Sequence, residues 1–259
     1  MADALRMHVL PKLREPVLLL AFGGWNDAGE AATSAARFVA DSLNAVPLAE
    51  IEPEEFYDFT VRRPVVRLDA AGRRRLEWPR NEFLLASIDN AREIVIGIGV
   101  EPHLRWSAFS DLVERLADRV GARQVVLLGA FLADVVYSRP VGLTGFASSP
   151  DLLAKLSVPA STYQGPTGIV AVVADRLMQS GREVVSLWAG LPHYISVSPN
   201  PRGALALLGK LREHIGLKLD ETSLGVAAEE FEERISALVS ADPEISEYVR
   251  QLKRREFAQ

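Results

Sequence analysis

The chain has 259 residues, a formal net charge of −5, 48% hydrophobic and 24% charged residues, which is the make-up of a globular protein long enough to bury one large core. The acidic balance, with a pI near 5.5, argues against a general affinity for phosphate backbones, so no nucleic-acid partner is expected. Cysteine is absent, which excludes disulfides, thiol nucleophiles and cysteine-ligated zinc together and suits a reducing, cytoplasmic setting.

Met1 to Arg14 mixes polar and apolar residues with no long apolar stretch, so no signal peptide is expected. Val17 to Phe22 is a continuous apolar run followed by Gly23-Gly24, the pattern of a buried strand entering a tight turn. From Ala28 to Leu43 the residues Ala32, Ala35, Ala36, Val39 and Leu43 recur at helical spacing. Val65 to Trp78 reads as a hairpin, with Val65–Leu68 and Arg74–Trp78 flanking Asp69-Ala-Ala-Gly72 and the arginines at 73, 74 and 75 forming a solvated tip. Phe83–Ile88 and Ile94–Gly99 are further strands. Trp106–Val120 is amphipathic, with Phe109, Leu112, Val113, Leu116 and Val120 on one side and Gly121 as its stop.

Gln124–Ala130 is a core strand. The apolar run from Val125 to Val136 is too short to span a bilayer and contains Asp134, so no membrane partner is expected. Helices are expected over Pro150–Leu156 and Pro166–Gln179, a last core strand over Glu183–Ala189, and an amphipathic helix over Arg202–Ile215. The remaining residues hold two helices. One carries Leu224, Phe231, Ile235 and Leu238, the other Ile245, Tyr248, Val249 and Leu252, and Asp242-Pro243 supplies a cap and a first helical position. This order predicts an α/β fold: a three-layer sandwich around a mostly parallel mixed sheet over residues 1–218, followed by a C-terminal helical hairpin over 219–259. That hairpin either packs on the main body or swings away from it.

In such a sheet, ligands bind beyond the carboxyl ends of the strands, and three loops there carry the candidate ligand-binding residues. In the first, Gly24, Trp25, Asn26 and Asp27 precede a helix whose free N–H groups suit a polar ligand. Asp27 with Glu30 also reads as a capping box needing no ligand, and an aspartate repels phosphate; Trp25 has no such capping explanation. In the second, Gln164-Gly-Pro-Thr-Gly168, Gly165 and Thr167 stand at a helix start with Pro166 in its first turn. That arrangement can hold an anion but lacks the lysine and spacing of a P-loop. In the third, His193 lies just past the last strand, while Asn200-Pro201 is a helix cap. His103 occupies the equivalent place after another strand, so the two histidines could share a cleft, although a lone histidine is more often structural. No Gly-x-Ser-x-Gly elbow, His-x-x-x-His pair or Gly-x-Gly-x-x-Gly after the first strand occurs, so no catalytic residue, metal or cofactor is assigned.

Taken together, Gly24-Trp-Asn-Asp-Ala-Gly29, Glu101-Pro-His-Leu-Arg-Trp106, Leu132-Ala-Asp134 with Ser138-Arg-Pro140, Gly165-Pro-Thr-Gly-Ile169 and Pro192-His-Tyr194 with Pro199-Asn-Pro201 resemble the proteasome assembly chaperone family of the second-subunit type, in its actinobacterial branch. The resemblance spans most of residues 16–215. It implies a fold similar to purine nucleoside phosphorylases and related hydrolases, and a homo-oligomer, with a trimer favoured by analogy. Eukaryotic and archaeal relatives help build or bind the proteasome core particle; the role of the actinobacterial branch is undefined. Two departures stand out. Where the family's middle motif reads Asp-Val-Pro-His-Thr-Arg-Pro, Val136 and Tyr137 replace the proline and histidine, leaving Arg139 and Thr144 as candidate ligand contacts. The chain ends Phe257-Ala-Gln259 without the penultimate tyrosine of proteasome-binding relatives, so docking by that tail is not expected.

Three readings stand. One is a non-catalytic homo-oligomer that binds or helps assemble another protein. The second is a nucleoside-like phosphorylase, hydrolase or sensor that takes a small polar ligand at the sheet edge. In the third, the motifs only shape turns.

Overall fold

Four apolar strands with almost no polar interruption must be covered on both sides. In a computed structural model, which describes residues 4–9 and 12–257, they form the centre of one sheet. The strands are β2 (Val17–Gly23), β7 (Glu93–Val100), β8 (Gln124–Ala133) and β10 (Glu183–Pro192), paired in parallel in the order β7-β2-β8-β10. Antiparallel strands extend each flank. β6 (Asn81–Ser87), β3 (Val46–Ile51) and β1 (Leu5–Met7) continue from β7, and β9 (Leu143–Ala147) adds to β10, for eight strands in all. The expectations for the chain's first residues and for its Phe257-Ala-Gln259 tail fall wholly or partly outside the described residues.

Side chains alternate between the two faces. Leu19, Ile96, Val126 and Leu187 point to the layer of α1 (Ala31–Ser42) and α5 (Pro201–Ile215). Leu18, Leu20, Val95 and Leu127 point to the layer of α2 (Trp106–Val120) and α4 (Ile169–Gln179). The result is the expected three-layer sandwich. A short α3 (Pro150–Lys155) follows β9. The two strands β4 (Val65–Leu68) and β5 (Arg74–Glu77) pair only with each other, and every residue in them is exposed. Among the described residues no helix is long and apolar enough to cross a membrane.

The last two helices, α6 (Thr222–Ala241) and α7 (Pro243–Phe257), pack on the main body through a cluster of Val136, Phe231, Ile235, Val239, Val249 and Leu252. Asp242 caps α7 as expected, its Oδ1 accepting from the N–H groups of Glu244 (2.9 Å) and Ile245 (3.1 Å). The buried stripe of α6 differs from the expected one. It runs through Ala228, Phe231, Ile235 and Val239, a helical repeat that leaves Leu238 exposed at its margin.

Two glycines of β7 decide how β6 lies beside it. A Cβ at Gly97 would sit 2.5 Å from Leu20 Cδ2, and one at Gly99 only 1.6 Å from Asn81 Oδ1. The space they leave is filled by Phe83 and by the buried Asn81. Asn81 Oδ1 accepts from the Val100 N–H (3.1 Å) and its amide donates to the Tyr57 hydroxyl, which donates to the Val100 carbonyl at 2.5 Å. Burial pushes the Tyr57 phenol far above its ordinary value, so the hydroxyl stays protonated and remains a donor.

Gly99→Ala is expected to displace Asn81 and cost about 3 kcal/mol, combining overpacking with a broken buried network. Gly209→Ala, in α5 with no atom near the added methyl, is expected to stabilise by roughly 0.5–1 kcal/mol. Urea denaturation of the two variants beside the parent checks both signs.

Candidate functional site at the carboxyl rim of the sheet

The four parallel strands end at one rim, at Gly23, Val100, Ala133 and Pro192, and the loops leaving them carry most of the candidate residues. The side chain that organises the first part of this rim is Glu101, directly after β7. Its N–H donates to the Gly23 carbonyl (2.8 Å). Its Oε1 accepts from Asn26 Nδ2 and from the Ile169 N–H, both at 2.8 Å, and its Oε2 accepts from the Trp25 N–H at 3.4 Å. Glu101 therefore supplies the negative charge that the N-terminus of α4 favours.

This moves the start of α4. The sequence predicts a helix from Pro166, but α4 begins at Ile169, with Gly168 extended at φ −110° and ψ −175°. Pro166 stays in the loop, its carbonyl accepting from the Tyr163 hydroxyl at 2.9 Å. A Cβ on Gly168 would lie 2.2 Å from Asn26 Oδ1 and 2.6 Å from Glu101 Oε1, so this approach requires glycine. Asn26 is 0% exposed, and its Oδ1 has no hydrogen-bond partner. That oxygen lies close against Gly168. The Asn26 carbonyl accepts from the Ala130 N–H (2.8 Å), tying the loop to β8 as well.

Gly24 lies against Glu101 in a left-handed conformation (φ 120°), and Trp25 is 60% exposed, with only its backbone N–H engaged by Glu101. Gly165 and Thr167 are exposed in the loop before α4. Asp27 turns inward. A short 3-10 turn at Ala28–Glu30, with Gly29 and Glu30 left-handed (φ 57° and 51°), delays the α-helix to Ala31. Asp27 accepts from the N–H of Ala32 (2.7 Å), the N–H of Thr33 (3.3 Å) and the Thr33 hydroxyl, so it caps α1 without forming the expected box with Glu30. Burial raises its carboxyl above the ordinary value, opposed by those three hydrogen bonds.

The second part of the rim lies at the ends of β8 and β10. His193 Nε2 is 3.0 Å from the Tyr248 hydroxyl and 3.1 Å from Asp134 Oδ1, and the Tyr248 hydroxyl donates to the same carboxylate oxygen at 3.0 Å. The His193 ring meets the rings of Tyr194 and Tyr248 edge to face. Tyr194 donates to the Val135 carbonyl and accepts from the Tyr137 N–H, each at 3.0 Å, and burial pushes its phenol up to about 12. Arg139 pairs with Glu256 of α7 at 3.2 Å. Arg202 holds the same loop by donating to the carbonyls of Tyr137 and Arg139 (2.7 Å to the latter) and pairs with Glu232 of α6 at 3.3 Å. The cavity enclosed there, beside Tyr137, Arg202 and Phe231, measures about 20 Å³, room for a water molecule.

The candidate residues therefore divide. Gly24, Trp25, Asn26, Gly165 and Thr167 lie on or near the Glu101 part of the rim, Asp27 points into the fold, and Arg139 and His193 engage the C-terminal helices. Thr144 lies on β9 at the sheet's edge, opposite Trp188, with its hydroxyl donating to the Pro159 carbonyl (3.2 Å). The two histidines do not share a cleft. β2 and β8 separate their strands, which puts these roughly 14 Å apart at ~4.8 Å per strand. His103 Nδ1 accepts from the Asp58 N–H (3.0 Å), and its ring meets that of Tyr57. Glu101, Asp134 and Tyr248 carry the site's contacts and were not among the sequence candidates. Glu101 left one signal: an acid directly after a buried strand, in a chain whose α4 begins without a capping side chain of its own.

Residues 21–239 match the model of the PAC2 family. The chain is similar to a PAC2 family protein from Streptomyces avermitilis, at 36% identity and a TM-score of 0.82, over 90% of this chain and 99% of that one. A proteasome-assembly chaperone homologue from Mycobacterium tuberculosis matches at 37% identity and a TM-score of 0.82, over the same shares of 90% and 99%. PbaB from Pyrococcus furiosus, an archaeal proteasome activator, shares the fold at 18% identity and a TM-score of 0.71, over 90% of this chain and 97% of that one. No functionally curated protein matches the chain.

Glu101→Gln keeps an acceptor for Asn26 and Ile169 and loses only the charge, with an expected cost of about 1 kcal/mol; Glu101→Ala strands both donors, for about 3 kcal/mol. Chemical denaturation of the pair separates the two effects. Because the Asp27 carboxyl is raised in the fold, its contribution is complete below the ordinary value of 3.8 and is lost as pH rises through its native titration. The stability of the parent relative to Asp27→Asn is therefore expected to fall as pH rises from 3.8 and then level off, read as unfolding free energy against pH.

Proposed function

The chain belongs to the PAC2 family, and we propose that it is a non-catalytic, self-associating cytoplasmic protein that binds other proteins and assists their assembly, in the manner of a proteasome assembly chaperone. The observation that carries this reading is how the polar groups at the rim are used. Glu101 is bound to Asn26 and the start of α4, Asp27 caps α1, and His193 and Arg139 engage α7. A phosphorylase would hold phosphate with a cation and free helix N–H groups. Here the N-terminus of α4 meets a carboxylate, which repels phosphate.

Large apolar side chains point outward along the same rim, among them Trp25, Leu104, Phe131 and Leu132. Exposed aromatic and aliphatic groups beside polar ones suit a protein surface better than a small-molecule pocket. The names of the Mycobacterium tuberculosis and Pyrococcus furiosus proteins point to the proteasome as the partner.

The test is binding of the purified chain to unassembled proteasome α- and β-subunits from the same organism, measured by biolayer interferometry. Low-micromolar or tighter affinity is expected, weakened about tenfold or more by Trp25→Ser with Leu132→Ser at unchanged thermal stability. No binding at about 50 μM subunit, together with a thermal shift from a nucleoside and phosphate, would overturn the reading in favour of a small-molecule site.

A further inference from the structure

Three polar side chains from separate parts of the fold converge on one point beyond the carboxyl ends of β8 and β10. Asp134 directly follows β8, His193 directly follows β10, and Tyr248 lies in the second turn of α7. Their facing atoms form a near-equilateral triangle. His193 Nε2 is 3.0 Å from the Tyr248 hydroxyl and 3.1 Å from Asp134 Oδ1, and the last two are 3.0 Å apart. Both neighbours meet the same carboxylate oxygen, and Asp134 Oδ2 engages none of the described residues.

A hydrogen bond needs two atoms in line, whereas a metal ion needs several donors in reach of one point. Donors held by one ion at about 2.1 Å and at right angles stand about 3.0 Å from one another. Imidazole nitrogen and carboxylate oxygen suit divalent first-row ions, and the phenol oxygen adds a hard third donor. Among the described residues no three His, Asp or Glu side chains come together, so tyrosine is what completes this set. Partial desolvation, then the hydrogen bond and charge of Asp134, hold the Tyr248 phenol above its ordinary value, and a bound cation displaces that proton. The Asp134 and His193 side chains are 67% and 44% exposed, so an ion reaches them from solvent and keeps water in its other positions.

α7 also has a use for such an ion. Val249 and Leu252 are its only buried side chains among the described residues, and its polar ties to the body run through Tyr248 and Glu256.

We propose that Asp134, His193 and Tyr248 bind a divalent first-row transition-metal ion of the Zn²⁺ type, which ties α7 to the carboxyl ends of β8 and β10. The site stands whether or not the chain binds another protein.

Calorimetric titration of the chelator-treated chain with Zn²⁺ tests it. One ion per chain is expected, with a Kd of about 10 μM or tighter. Tyr248→Phe, His193→Gln and Asp134→Asn should each weaken binding at least about tenfold. Tyr248→Phe is the decisive variant, because it keeps the ring contacts with His193 and Tyr194 and loses only the hydroxyl. Its melting temperature without metal should match the parent's. His8→Gln, which removes an exposed histidine elsewhere, should bind like the parent. Zn²⁺ should also slow hydrogen exchange of the α7 amides about fivefold or more while leaving β2 unchanged, and this slowing should vanish in Tyr248→Phe. No binding at about 100 μM Zn²⁺ would overturn the site. So would Tyr248→Phe binding like the parent, or α7 exchange indifferent to the ion, either of which leaves only adventitious surface binding.

Discussion

One carboxylate oxygen holds together three stretches of chain that are far apart in sequence. Glu101 Oε1 accepts from the side chain of Asn26 and from the backbone of Ile169, 68 residues further on. Without it, the first N–H of α4 would be unsatisfied against the Asn26 loop. With it, α4 starts at one position only, and that start sets which of its residues, Ile169, Val170, Val173, Ala174 and Leu177, face the sheet. A partly buried carboxylate is costly unless its lone pairs are used, and three N–H donors use them here. Gly168 is part of the same device, because any side chain there would collide with both partners.

This interaction changes what the carboxyl rim can do. In an open α/β sheet that rim normally leaves helix N–H groups and polar side chains free for a ligand. Here it is tied into two knots. One joins the ends of β2 and β7 to α4 through Glu101. The other joins the ends of β8 and β10 to α7 through Asp134, His193, Tyr194 and Tyr248. Among what the rim still turns outward are large apolar side chains, Trp25 and Leu132 included.

The central strands were legible because β2, β7, β8 and β10 are buried on both faces and so read as unbroken apolar runs. Two of the flanking strands, β3 and β9, were not. β3 contains Pro47, Glu50 and a register shift between Pro47 and Ala49, and β9 places Gly145 where a Cβ would lie 2.4 Å from the Ser186 carbonyl. Neither pattern alternates cleanly. The start of α4 was misplaced because its capping group lies 68 residues earlier, and proline in a first turn is a local cue that outranked it. Asp27 reads in sequence both as a ligand candidate and as a cap paired with Glu30; it caps α1 with other partners, because the 3-10 turn inserted after it has no sequence signature as strong as Asp27 with Glu30. His193 could be placed at a strand end, but its partner Tyr248 is 55 residues away on a helix whose docking site was open.

Net charge illustrates the same limit from another side. A value of −5 describes the chain as a whole and weighs against a general polyanion binder. It averages over an arginine-rich arm and a glutamate-rich helix that lie on different flanks of the sheet. Asp69 and Glu77 pair with Arg67, Arg73 and Arg75 inside the arm, so part of its charge is offset locally and the rest is hidden in the total.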